Sequence, residues 1–280
     1  MKKLKLLSFL TLSVLLMTTL SCENEPLDPD YNFDIDGSVA DGVNDDGSGP
    51  PGGESTGDYW PMAVNNVWNY DYTVDDEAQD DYVMEIDANV DYQGNSVFRY
   101  LQFMPSGTAT DGTEFDGLDI STYSRKNGGD YIMTIGDLQA DYLDGMFTLT
   151  QNGYSVIMLK DYLNAGATWT SSAQTVTSYT SQDPSLPTIP DVVINLDYDF
   201  EILEKGISLD LNGVTYNDVI KVGSTLSSFS PDFPAQVISA ESEYFFALDI
   251  GLIKTVSYTN DEADGVETAS IMEINNYTLN

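Results

Sequence analysis

Apolar and polar positions alternate in short runs along most of the chain, and each run is closed by a turn signal. Val67-Trp68-Asn69-Tyr70-Asp71-Tyr72-Thr73-Val74 reads as a strand, and the acidic stretch Asp75 to Asp81 as the turn after it. Tyr82 to Val90 alternates again, Gln93-Gly94-Asn95 turns the chain, and Ser96 to Met104 continues as another strand. Asp210 to Tyr216 carries Asn212-Gly213, a pair that suits a two-residue type I′ hairpin because both residues accept positive φ. Gly251 to Tyr258 and Glu267 to Thr278 predict a last hairpin around the loop Asn260 to Gly265. Helical amphipathicity is absent from long windows, and only Ile135 to Leu143 suits a short helix. Ser181 to Asp191, with Pro184, Pro187 and Pro190, reads as a long loop or a boundary between two halves. The strands on its two sides resemble each other, and neither half is rich enough in apolar residues to stand alone, so one antiparallel β domain is expected.

The alternation breaks down at the N-terminus. Lys2, Lys3 and Lys5 precede an apolar run from Leu6 to Leu20 interrupted only by Ser and Thr, the length of a secretory h-region and too short for a membrane span. The run ends Thr19-Leu20-Ser21-Cys22, and Cys22 is the single cysteine of the chain. This segment resembles the signal peptides of bacterial lipoproteins, in the looser form common in Bacteroidetes, with Thr19 where Leu is usual. The resemblance implies that residues 1–21 are removed and that Cys22 carries the acyl chains that hold the protein to a membrane. Glu23-Asn24-Glu25 is similar to the acidic signal that sends such lipoproteins to the outer face of the outer membrane. From Glu23 to Asp58 the composition is Asp, Asn, Gly, Pro and Ser with no Lys or Arg, which predicts a disordered acidic tether after Cys22 and a folded domain from Tyr59 to Asn280. By random-coil scaling such a tether spans about 30 to 40 Å.

Charge narrows the functions further. The 280 residues carry 46 acidic and 10 basic side chains and no histidine, a formal charge of −36. Nucleic acid is excluded as a partner, because its affinity comes from Lys and Arg displacing counterions. No histidine and one cysteine leave neither the commonest general base nor a disulfide nor a thiolate zinc site. No organic-cofactor motif is present, and calcium is the one ion the acidic loops suit. Asn32, Asp34 and Asp36, followed by Gly37 and Asp41, follow the first half of a calcium loop, although Val43 stands where the closing Glu of an EF-hand belongs. Asp75-Asp76-Glu77 with Asp80-Asp81 is a second acidic cluster, without the glycine of a tight cation loop.

Two segments inside the domain carry another resemblance. Tyr59-Trp60-Pro61 through Trp68-Asn69-Tyr70, and Tyr244-Phe245-Phe246-Ala247 through Gly251-Leu252-Ile253-Lys254, resemble the opening and closing segments of a group of secreted bacterial lipoproteins of unknown function. That resemblance implies a mainly β fold built on a strongly curved antiparallel sheet, a half-barrel or open barrel, and brings no activity with it. Asn65-Asn66 suits a tight turn that sets Trp60 and Trp68 on adjoining strands. Core packing is one use for these rings, and a groove for a hydrophobic or glycan ligand lined by Trp60, Trp68, Tyr244 and Phe246 is the other. Successive strand residues point oppositely, so Tyr244, Phe245 and Phe246 cannot share one face. Catalysis has no tuned arrangement behind it: no nucleophile elbow, no phosphate loop, and only Arg99 and Arg125 as anion clamps. The sequence therefore predicts a non-catalytic, lipid-anchored binding module, the other readings being an adhesive surface component with calcium-assisted acidic loops and, last, a hydrolase.

Overall fold

The computed structural model describes residues 52–101, 121–142, 146–181, 183, 185, 186, 188–231, 233–261 and 266–280, all within one compact unit. Its strands are β1 (Val67–Val74), β2 (Glu77–Ala78), β3 (Tyr82–Tyr92), β4 (Asn95–Tyr100), β5 (Thr122–Asn127) and β6 (Asp130–Ile135). They continue as β7 (Leu138–Tyr142), β8 (Phe147–Gln151), β9 (Tyr154–Lys160), β10 (Thr168–Thr180) and β11 (Val192–Leu211). The last four are β12 (Val214–Ser230), β13 (Phe233–Ala247), β14 (Gly251–Asp261) and β15 (Val266–Thr278).

These strands form one sheet in the order β7-β8-β10-β11-β12-β13-β14-β15-β1-β3-β4-β5-β6-β9, with β2 paired to β1. Every pairing is antiparallel, and the sheet curls into the expected half-barrel. β3 is shared between two neighbours. Tyr82 to Glu85 pair with β1 and Ile86 to Tyr92 pair with β4, with Asp87 bulged out between Ile86 and Ala88. A bulge adds a residue to one strand and so turns it, which redirects the remaining strands across the barrel. Arg99 holds the bulged carboxylate from both sides, with Nε 3.0 Å from Oδ1 and Nη2 2.6 Å from Oδ2, and keeps Asp87 below the usual carboxylate pKa.

The curl brings β9, and the turn between β8 and β9 that holds Asn152, against β10, and side chains bridge them. Trp169 Nε1 donates to the Ile157 carbonyl at 2.9 Å. Asn152 donates to the Gln174 carbonyl at 3.1 Å and accepts from the Val176 amide at 2.6 Å. One core fills the barrel, from Trp68, Tyr70, Met84 and Ile86 on one wall to Ile202, Val222, Phe246 and Ile253 on the other.

The Asn212-Gly213 hairpin forms as predicted, with φ of 50° and 80°. Its arm, beyond the bulges near Leu203 and Gly206, reaches across so that Asn212 Nδ2 donates to the Ile274 carbonyl and to Asp71 Oδ2, both at 3.2 Å. Leu211 and Tyr216 on that arm are buried and join the core. The last hairpin forms as β14 and β15.

The short helix expected over Ile135 to Leu143 is instead the strand β7, paired with β8 from Leu138↔Gln151 to Tyr142↔Phe147. Gly136 and Asp137 are weak helix formers, and β8 offers ladder partners that outweigh a single marginal turn. Trp60 lies in coil ahead of β1 and not on a strand. The described residues of 181–191 carry no strand, and β10 and β11 on the two sides pair directly from Thr168↔Glu201 to Thr177↔Val192.

Candidate functional site

The four aromatic residues singled out as a binding groove meet in the barrel interior. Trp60 is 1% exposed, and Trp68 and Phe246 are 0% exposed. Trp60 packs at 5.7 Å from Phe246 and 6.4 Å from Tyr100, while Tyr244 lies 6.4 Å from Phe246. Trp68 is fixed by its Nε1 donating to the Ile250 carbonyl at 2.7 Å. Three of the four rings are thus enclosed core groups, and Tyr244 alone keeps partial exposure. Phe245 faces the other way, under Lys221 at 5.3 Å and Lys254 at 6.0 Å, so the Tyr-Phe-Phe run divides between faces as its period demands. Cys22, Asn32, Asp34, Asp36 and Asp41 lie outside the described residues.

The strap of residues 52–58, assigned by composition to the tether, lies against the domain. Gly129 N donates to the Gly53 carbonyl at 2.7 Å, and Asp249 N to the Asp58 carbonyl at 2.6 Å. Asp161, fully buried, receives Ser55 Oγ at 2.6 Å and the Thr56 amide at 3.1 Å. The Tyr131 hydroxyl accepts from Tyr59 N and lies 2.9 Å from the Gly57 carbonyl and 3.2 Å from Asp161 Oδ2, either of which takes its proton. Burial and then the nearby Asp161 and Asp58 raise the Tyr131 pKa, so it stays a neutral donor. The approach is close: a Cβ on Gly53 would come within 2.5 Å of the Tyr162 ring.

The two faces of the long strands differ in chemistry. On the outer face a depression of about 510 Å³ spans β10 to β14 above Gly223, bordered by Asp199, Glu201, Glu241 and Glu243 and by Tyr258, which is 44% exposed. Lys221 reaches Glu243 at 2.8 Å on its flank. On the inner face, register brings Ser224, Ser242, Ser257 and Ser270 side by side across four strands. Ser242 and Ser257 oxygens are 2.9 Å apart, and Tyr244 lies one rung away on the same face. The row continues into Phe200, which stacks on Trp169 at 5.2 Å and on Tyr198 at 5.9 Å. No sequence motif announces this row, because its serines are 13 to 18 residues apart and only strand register aligns them. The periodicity of each strand was the available signal: all four serines sit at inward positions.

Among the described residues no three His, Cys, Asp or Glu side chains converge at metal-binding distance. The carboxylates of the outer depression have no histidine or cysteine partner, since the chain holds no histidine and only Cys22.

Comparison with solved structures finds two similar folds. A "putative lipoprotein" from Parabacteroides distasonis ATCC 8503 covers 80% of this chain and 100% of its own, at 14% identity and a TM-score of 0.44. A "putative exported protein with YmcC-like fold" from Bacteroides fragilis NCTC 9343 covers 78% of this chain and 98% of its own, at 9% identity and a TM-score of 0.37. No protein-family model and no curated protein matches the sequence.

Proposed function

We propose that the chain is a lipid-anchored cell-envelope lipoprotein, carried on the outer face of the outer membrane by acylated Cys22, whose β domain binds a hydrophobic or glycan ligand without transforming it. The observation that carries this reading is the position of Cys22: the chain's one cysteine closes the apolar run Leu6 to Leu20 and is followed at once by acidic residues. The long acidic segment after it supplies reach and solubility, and acyl chains supply the attachment that a negative surface cannot. A curled sheet whose inward serine and tyrosine rungs from β10 to β15 carry no charge, beside a charged outer face, supports a binding module. Fractionation tests the anchor: the native chain sediments with outer membranes and the Cys22→Ala chain is released to the soluble fraction. Retention of Cys22→Ala in the membrane overturns the reading.

A second reading is an adhesive component with calcium-assisted acidic loops, for which the cluster Asp75-Asp76-Glu77 with Asp80-Asp81 is the candidate. A site-bound cation raises the unfolding temperature by mass action. Stabilisation by millimolar calcium beyond that by magnesium supports this second reading, and equal responses count against it.

A further inference from the structure

We propose that the inner serine row and the tyrosines around it form the binding site itself, and that its ligand is a neutral saccharide. This deepens the binding-module reading above and rests on it. Three adjoining rungs define the site. The middle rung holds Ser224, Ser242, Ser257 and Ser270 in one continuous line. The rung toward the core holds Tyr244, Thr255 and Tyr72, in register through Met272. The rung beyond it pairs Ser171 with Tyr198.

Pleating points all of these residues to the same side as the core residues Phe200, Val222 and Ile274. Yet Tyr72, Tyr198, Ser242, Tyr244, Ser257 and Ser270 keep partial exposure, whereas Ile220, Phe246 and Ile274 further in are enclosed. Tyr154 from the opposite wall approaches Tyr198 with 3.4 Å between hydroxyls, which sets one border of the opening.

Two further observations point to a ligand. Ser171, 0% exposed, and Thr255 each hold a buried hydroxyl with no hydrogen-bond partner, and both are aimed into this face. Buried hydroxyls are nearly always paired, and an exception marks a place where another polar group is received. The charge pattern identifies the class. From β10 to β15 the inward positions of these rungs carry no acid or base, whereas the outward positions beside them carry Asp199, Glu201, Glu241 and Glu243. A cationic or metal ligand belongs on the outer side. An acyl chain on the inner side would strip water from a row of hydroxyls and return no hydrogen bond. A neutral sugar matches donors to acceptors along the serines and sets its apolar ring face on a tyrosine.

The test applies the detergent-solubilised full mature chain to an array of neutral and acidic oligosaccharides, with laurate as the acyl probe. The expected result is retention of neutral oligosaccharides, weakened about tenfold or more by Ser242→Leu, which fills the site, and about tenfold by Tyr198→Ala, which removes the ring. Ser257→Ala removes one hydroxyl without adding bulk and keeps the test valid if Ser242→Leu unfolds; it should weaken binding several-fold at an unchanged unfolding temperature. Glu241→Gln, on the outer face, should leave binding intact. Neutral sugars bound equally by the inner-face variants, or lost through Glu241→Gln, overturn the site. Laurate bound and no sugar overturns the saccharide class and leaves the binding-module reading standing. Neither ligand bound overturns both, while the Cys22 anchor is judged separately by fractionation.

Discussion

Asp161 holds the chain's entry into the domain. Its carboxylate takes hydrogen bonds from Ser55 and Thr56, its carbonyl takes one from Thr56 Oγ1 at 2.9 Å, and Lys205 binds the same carbonyl and that of Leu163. Removing the carboxylate breaks two charge-assisted hydrogen bonds, from Ser55 Oγ and the Thr56 amide, each worth about 1.5 to 3 kcal/mol. Asp161→Ala should therefore lower stability by about 3 kcal/mol in denaturant unfolding, and Asp161→Asn, which keeps an acceptor oxygen, by about 1 kcal/mol. An Asp161→Ala chain as stable as the native one would mean that the strap does not contribute to the fold. Composition hid this role: Glu54 to Asp58 reads as tether, and only the fold brings Asp161, more than a hundred residues on, against Ser55. The aromatic residues were easier to read. Trp60, Trp68 and Phe246 proclaimed burial by type, but the face that a strand residue such as Phe246 occupies depends on bulges that no local pattern records, such as the irregularity between Phe245 and Phe246.

At the level of elements, the closure between β9 and β10 is the place where the barrel depends on single side chains. Asn152 stands in for a strand residue by bonding both Gln174 and Val176. Asn152→Ala should cost about 1 to 2 kcal/mol and speed hydrogen exchange at the Val176 amide, with exchange on the central β12–β13 ladder unchanged. Uniform acceleration across the sheet would instead mean that the seam does not open by itself. Strand identity was legible wherever alternation ran long, as in Val67 to Val74, and wherever turn chemistry was explicit, as in Asn212-Gly213. It was not legible in Ile135 to Leu143, where a short apolar stretch serves a helix or a strand equally and pairing with β8 decides. The serine row was invisible for a related reason: register between strands is a tertiary property, while the sequence displays only the period within each strand.

Across the whole molecule, charge is segregated. The mature chain expected after cleavage at Cys22 keeps 7 basic and 46 acidic residues, a charge of −39, and 11 of the acids fall between Glu23 and Asp58. On β11 and β13 Asp199, Glu201, Glu241 and Glu243 take outward positions, and the serines and Tyr244 face inward. Burial raises the pKa of Tyr70, Tyr82, Tyr100, Tyr131, Tyr198 and Tyr244 above the ordinary 10.0. Above pH 10 the unfolded chain releases these protons and the folded chain retains them, so stability is fully present below pH 10 and falls as pH rises past it. Phenolate absorbance from these six should then appear together with loss of near-ultraviolet circular dichroism; ionisation of all 18 tyrosines at pH 10 in a chain that stays folded would contradict the burial. The proposed anchor, by contrast, rests on the first two dozen residues alone, because lipid attachment needs one cysteine at one place and not a fold. The most direct test of the account is the intact mass of the chain extracted from membranes. A mass lacking residues 1–21 and carrying acyl chains on an N-terminal Cys22 is the predicted result, and a chain with Cys22 unmodified would contradict it.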